Sequence, residues 1–165
     1  MPRELLFDLS QVDLSKVLVD AEGIRRVNPQ RFEMEQLTAI VHLDPVQHIA
    51  VGYKDVRADE FWARGHMPGY PLMPGVLICE AAAQLSGYYC RVLNLLEGDF
   101  IAFGGMDNVR FRAPVRPGDR LVLVAKAIKI HRRQITTRCQ GFVGSTLVFE
   151  ADIIGMPFRR SLGDS

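Results

Sequence analysis

The sequence predicts an α+β domain in which an antiparallel sheet packs against one buried helix. Three observations carry that expectation. The C-terminal part reads as successive strands joined by short turns. The middle holds a helical run that is apolar on nearly every side, as a buried helix is. And 165 residues with 48% hydrophobic content suffice for one substantial core.

Residues 1–24 are acidic and helix-compatible. Leu5, Leu6, Leu9, Val12 and Leu14 give them an apolar side, which predicts a short helix on the body or a peripheral arm. β-Branched residues then rise from Leu37 to Leu43, Asp44-Pro45 punctuates, and Gln47 to Val56 reads as the second strand of a hairpin. A Pro/Gly loop spans Gly65 to Gly75. Pro74-Gly75 marks a helix start, and the apolar run continues through Val92 until Asn94 to Asp99 ends it. Beyond it the period changes. Asn108 to Ala113, Leu121 to Ile130, Gln134 to Val143 and Thr146 to Gly155 read as strands, with turns at Pro117-Gly118-Asp119 and Gly144-Ser145.

Composition excludes several classes. The three cysteines form no CxxC pair, and Cys79 and Cys90 lie in or near the apolar run, so a reducing compartment is expected. The N-terminal residues lack the pattern of a secretory leader, which predicts a cytoplasmic protein. No membrane span is expected, because Glu80, Gln84 and Arg91 interrupt Val76 to Val92. Net charge is +1 but uneven: residues 101–165 carry 11 basic against 5 acidic side chains. That excess suits a solvated sheet surface or the docking of an acidic partner. No aromatic platform or helix-turn-helix pattern accompanies it, so nucleic acid is not an expected partner.

The chemistry concentrates in GHMPGYPLMPGVLICEAAAQ, Gly65 to Gln84. His66 sits on a loop stiffened by Pro68, Pro71 and Pro74 and can act as a base near neutral pH. Glu80 occupies a position where a packing residue would be expected; a buried carboxylate is costly unless paired or used. Gln84, one turn on, can share its space. Gly75 and Val76 at the helix start can direct amide hydrogens at a developing oxyanion. The structural alternatives are a loop histidine without a role, a glutamate in a salt bridge and glycines serving turns alone. Other constellations are weak: His42 and His48 bring no metal cluster, Gly104-Gly105 is not a phosphate loop, there is no GxSxG, and Cys79 has too apolar a setting for a nucleophile. No metal is expected.

These residues resemble the signature of the β-hydroxyacyl-(acyl carrier protein) dehydratases, nearer the FabZ type than the FabA type. The match runs through Phe61, Gly65-His66, Pro68, Pro71, Met73 to Leu77, Glu80-Ala81 and Ala83-Gln84, and Gly104 to Leu121 resembles the family's second recognisable stretch. The resemblance implies a hot-dog fold, a curved antiparallel sheet wrapped around the long helix, over residues 25–158. It leaves 1–24 as an N-terminal extension and 159–165 as a tail. It implies a homodimer with composite sites, in which one subunit supplies the histidine and its partner the glutamate, and assembly as a trimer of dimers. It makes His66 and Glu80 the catalytic pair, Gly75 the thioester-carbonyl contact, with Val76 beside it and Gln84 in support, and an acyl carrier protein the partner. It implies no redox cofactor. Arg110, Arg112 and Arg132 are the expected carrier-docking residues. One stretch departs: where the family carries Pro-His-Arg-Tyr-Pro-Phe-Leu-Leu-Val-Asp, this chain has Pro29-Gln30-Arg31-Phe32-Glu33-Met34-Glu35-Gln36-Leu37-Thr38, with the histidine and aspartate replaced. A hot-dog thioesterase and a noncatalytic carrier-binding subunit are the rival readings.

Overall fold

The computed structural model describes residues 3–161. Strands β1 (Ala39–Asp44) and β2 (Ile49–Asp55) form the first hairpin, and helix α2 (Gly75–Val92) follows the short helix α1 (Ala21–Arg25) as the one long helix. Strands β3 (Phe100–Phe111), β4 (Arg120–His131), β5 (Gln134–Val143) and β6 (Thr146–Phe158) complete a single sheet in the order β1-β2-β4-β5-β6-β3, with every neighbouring pair antiparallel. This is the expected α+β, hot-dog arrangement. The β1–β2 turn forms because the Asp44 carboxylate accepts from the amides of Val46 and Gln47 at 2.9 and 3.0 Å.

Strand alternation sorts the core into two layers. Leu121, Leu123 and Ala125 of β4 and Ala50 of β2 face α2, together with Ile78, Ala81, Ala82 and Leu85 of the helix. Val122 and Val124 of β4 and Ile49, Val51 and Tyr53 of β2 face the opposite side. Gly52 sits where the helix comes closest: a Cβ there would lie 2.9 Å from the Ala39 carbonyl oxygen and 3.3 Å from Leu85 Cδ1.

The outer layer is closed by the N-terminal segment, and here the sequence expectation needs correction. Residues 3–20 form an arm with a single 3₁₀ turn, Leu9–Gln11, instead of a helix. The cause is local. The carboxylates of Asp8 and Asp13 accept from the amides of Ser10 and Ser15, offering the backbone turns in place of a helical ladder, and only at Asp20, which caps α1 through the Gly23 amide, does an α-helix begin. The apolar positions still find a partner, since Leu6, Phe7, Leu9 and Leu14 pack on the outer face of the sheet. The expected boundary at residue 25 falls inside α1. Residues 1–2 of the extension and 162–165 of the tail lie outside the described residues.

Strand β3 also begins earlier than the sequence suggests, at Phe100 instead of Asn108. Two register shifts, between Phe103 and Gly105 and between Asp107 and Arg110, interrupt its alternation. The two edges of the sheet differ. Along β1, Ile40 pairs with Val19 of the arm, whereas β3 has no neighbour on its outer side among the described residues.

The arm is held by one buried side chain. Gln140, 4% exposed, accepts from the Leu6 amide and donates to the Glu4 carbonyl, both at 3.0 Å. Gln140→Ala is expected to cost about 1 kcal/mol by removing the partner of two part-buried backbone groups. Chemical denaturation should show the loss, and hydrogen exchange should show Leu6 losing protection first.

Candidate active site

Helix α2 starts without a cap. Pro74 offers no side-chain acceptor, and its carbonyl receives the amides of Leu77 (2.9 Å) and Ile78 (3.2 Å). The amides of Gly75 and Val76 therefore have no acceptor within the helix. The ring of the exposed Phe111 lies over Gly75 so closely that a Cβ would stand 2.7 Å from it and would have to push the ring aside. Val76 projects outward and is 69% exposed.

Along α2 the apolar pattern is broken at Glu80 and Gln84, and the structure pairs them. Gln84 Nε2 donates to Glu80 Oε1 at 2.9 Å and to the Met34 carbonyl at 2.6 Å, while Gln84 Oε1 accepts from the Gln36 amide at 2.9 Å. The Asn28 amide group donates to the Gln84 carbonyl at 3.0 Å. A single glutamine thus binds the divergent 29–38 stretch to the helix and orients the carboxyl. Three further bonds stiffen that stretch: Arg25 grips Glu35 with two donors at 2.7 and 2.8 Å, and Gln36 donates to the Glu33 carbonyl at 2.7 Å. The Arg25 hydrogen bond holds the Glu35 carboxyl below the usual carboxylate range despite its partial burial.

His66 is fixed by its own loop. Its backbone amide donates to the Trp62 carbonyl and its carbonyl accepts from Leu72, each at 2.8 Å. Ring atom Nδ1 lies 2.8 Å from the Leu72 carbonyl oxygen. A carbonyl only accepts, so Nδ1 carries hydrogen and the neutral ring keeps its lone pair on Nε2. Arg116 stacks over the Tyr70 ring at 3.8 Å and the Met73 amide donates to the Val115 carbonyl at 2.7 Å, tying both ends of the loop to the body.

Glu80 opens onto a cavity of about 260 Å³ between α2 and strands β3, β5 and β6. Ala83, Gly87 and Cys90 line its helix side, and Phe100, Ile101 and Ile154 lie opposite. His66 is not among the residues that line this cavity. Gln30, unnoticed as a site residue from sequence, stands at the same cavity with its amide oxygen buried and without a donor. Its only signal was its place in the stretch that departs from the family pattern. The cysteines are inert packing groups: burial pushes the Cys79 thiol up, and those of Cys90 and Cys139 to about 12.

Of the three arginines, the structure brings two together. Arg110 and Arg112 line a cleft of about 360 Å³ with Arg3 and Arg138. Arg112 is bound to Glu150 at 2.6 Å, whereas Arg110 donates only to the Val109 carbonyl. Burial raises the Asp152 carboxyl, but hydrogen bonds from Arg138 and Asn108 outweigh it and hold the group below the usual carboxylate range. Arg132 lies elsewhere, in the β4–β5 turn. The Arg110 partner Glu150 pairs with Gln140, six positions along β5 from Gln134, or about 20 Å from that turn.

Residues 28–152 match the model of the FabA-like domain. The chain is 41% identical over 137 residues to a 3-hydroxyacyl-[acyl-carrier-protein] dehydratase FabZ of Syntrophobacter fumaroxidans, covering 82% of this chain and 92% of that protein. It is 37% identical over 136 residues to the FabZ of Moorella thermoacetica, covering 82% and 94%. Among solved structures it is similar to the dehydratase heterocomplex ApeI:P from Xenorhabdus doucetiae, with a TM-score of 0.68 at 13% identity over 82% of this chain and 90% of that one. It is also similar to Cj0977, a sigma28-regulated virulence protein from Campylobacter jejuni, with a TM-score of 0.64 at 20% identity over 88% and 96%. At these identities the structural likeness establishes the fold.

The Gln84 junction yields a direct expectation. Gln84→Leu leaves the Gln36 amide and the Met34 carbonyl without their partner, at a cost of about 1–3 kcal/mol. Denaturant titration should register that loss, and hydrogen exchange should localise it to residues 34–36.

Proposed function

The chain belongs to the FabA-like family, and we propose that it is a 3-hydroxyacyl-[acyl-carrier-protein] dehydratase. It converts a (3R)-3-hydroxyacyl thioester to the trans-2-enoyl thioester in fatty acid biosynthesis or a related carrier pathway. The observation that carries this reading is the Glu80 carboxyl, set at a cavity of mixed apolar and polar lining with one oxygen held by Gln84.

The mechanism follows from what each group can do. The free amides of Gly75 and Val76 donate to the thioester carbonyl oxygen, spreading the negative charge that develops when C2 loses its proton. His66 Nε2, the ring nitrogen with a lone pair, takes that proton. The carboxyl of Glu80 gives a proton to the C3 hydroxyl, the C3–O bond breaks, a C2=C3 double bond forms, and water leaves. His66 ends protonated and Glu80 ionised; transfer of that proton back through solvent resets the pair. Carbon undergoes no net oxidation, so the reaction calls for no redox cofactor.

The site is composite. Within one protomer His66 is not among the residues that line the Glu80 cavity, and β3, which borders that cavity through Phe100 and Ile101, is the open edge of the sheet. Phe103 and Met106 on this strand are each 43% exposed. Pairing of two β3 edges produces a homodimer in which His66 of one subunit serves Glu80 of the other, and three such dimers form the hexamer. The cleft of Arg110 and Arg112 receives the acidic carrier, with Arg110 the less neutralised cation; Arg132 is a separate, peripheral contact. The protein acts in the cytoplasm. No helix of the described residues is long and apolar enough to cross a membrane.

Incubation with 3-hydroxyacyl carrier proteins, followed by intact-mass analysis, tests the reading. Loss of one water, or the reverse hydration, supports it. Release of free carrier thiol would reassign the protein as a thioesterase, and carrier binding without turnover as an accessory subunit. Removing either proton-transfer group, by His66→Ala or Glu80→Gln, is expected to lower kcat about 10²–10⁴-fold with the thermal transition preserved. Met106→Lys should shift light-scattering mass toward the monomer and abolish turnover in parallel, since each subunit then lacks half of its site.

A further inference from the structure

Strand β2 carries a lysine where its pattern calls for an apolar residue. Every residue from Ile49 to Lys54 is buried, and alternation puts Lys54 with Ala50 and Gly52 on the side that faces α2. Lysine is almost never fully buried without a partner. Here Nζ lies 3.1 Å from Glu60 Oε2 and 3.3 Å from Oε1, and the two side chains are only 8% and 13% exposed. Such a pair is a poor source of stability, because apolar residues of similar volume often serve a core as well or better. Stability alone therefore does not explain it.

What the pair fixes is the root of the loop that carries His66. Glu60 Oε2 also accepts from the Arg57 amide at 3.3 Å, and the Glu60 amide donates to the Arg57 carbonyl at 3.4 Å. The Glu60 carbonyl accepts from Ala63 at 3.0 Å, and the carbonyl of the buried Trp62 then takes the amides of Gly65 (3.1 Å) and His66 (2.8 Å). An unbroken series of bonds thus runs from the Lys54 ammonium to the His66 backbone. Further on, packing gives the loop little support: a Cβ built on Gly65 or on Gly69 would meet no atom within 4 Å. The loop depends on its two ends, and the Lys54–Glu60 pair grips the one that leads into His66.

We propose that Lys54 and Glu60 are positioning residues for the base: their ion pair sets where the loop leaves the sheet, and with it the direction in which His66 presents Nε2. The proposal rests on the dehydratase reading above and adds two residues to its machinery. Neither lines the Glu80 cavity, so both act through His66. Proton abstraction needs a base aligned with the C2–H bond, and a misplacement of about 1 Å can cost about 10²-fold in rate. An ion pair enforces that alignment better than apolar contacts do, since it is satisfied only at one separation of its charged atoms.

The test uses the double variant Lys54→Met with Glu60→Leu, which removes both charges and leaves neither unpaired. Tm, steady-state kinetics on a 3-hydroxyacyl carrier protein, and the tautomer of the neutral His66 ring by ¹⁵N NMR are compared with wild type. The variant is expected to hold or raise Tm, to keep KM within about twofold and to lower kcat at least about tenfold. Its His66 ring should lose the single Nδ1–H form that the Leu72 carbonyl selects in the wild-type protein. Retained stability with a disordered base separates a positioning pair from a structural one. An unchanged kcat, a kcat loss with the Nδ1–H form intact, or a lower Tm, failure to fold included, would overturn the proposal. If the wild-type protein dehydrates no substrate, the dehydratase reading fails on its own, and the ring tautomer still decides whether the pair governs His66.

Discussion

The enclosure of α2 is the constraint on which the rest depends. A helix that is apolar nearly all round cannot lie on a wet surface, so a sheet has to surround it. The strands meet that demand with alternate residues, Leu121, Leu123 and Ala125 turned inward along β4, and with Gly52 where the helix presses closest. Polar groups on such a helix must be satisfied by whatever covers them. Ser86 bonds back to the Ala82 carbonyl at 2.8 Å, and Gln84 reaches the 29–38 stretch. Glu80 borrows its fixed geometry from Gln84, so the carboxyl is oriented by the same bonds that close the fold over the helix. Stability and preorganisation share their atoms here.

The sheet's second face poses the opposite problem. Strands buried on the helix side still turn Ile49, Val51, Val122 and Val124 the other way, and those residues need a cover. The N-terminal arm supplies it without becoming a helix. Its aspartates bend the backbone through side-chain-to-amide bonds, and its leucines remain free to follow the sheet. Gln140 then replaces a strand neighbour, matching one carbonyl and one amide of the arm with its two amide atoms. Residues of the arm such as Leu6, Phe7, Leu9 and Leu14 therefore act as part of the core's lining, although the family match begins only at residue 28.

Much of this was legible in the sequence, for reasons that can be named. The strands with clean alternation or clear turn residues, β4, β5 and β6, stood out within a few residues of their observed limits, as did α2 from its apolar run between Pro74 and Asn94. The start of β3 was hidden because Gly104-Gly105 and two bulges erase the period-2 signal, and the N-terminal segment reads as either a helix or an arm because helix periodicity also describes leucines spaced along a bent chain. In the site, Glu80 and Gln84 were legible as polar residues where none should be, and their spacing of four placed them together. Gln30 was not. Its meaning lies in an unpartnered buried oxygen, a property that has no sequence pattern.

The two sheet edges make the strongest case for reading the site as shared. Exposed edges invite association, and proteins blunt those they do not use. Here the β1 edge is blunted by backbone bonds between Val19 and Ile40. The β3 edge is left open over twelve residues, with Phe103 and Met106 uncovered. That same strand forms a wall of the cavity that Glu80 lines and His66 does not, while His66 holds a fixed ring and forms no ion pair among the described residues. An acid lacking a base, a base lacking an acid and an unprotected edge between protomers are three separate deficits. In the proposed homodimer one operation, the antiparallel joining of two β3 strands, remedies all of them, and the open edge then serves the chemistry as much as the fold.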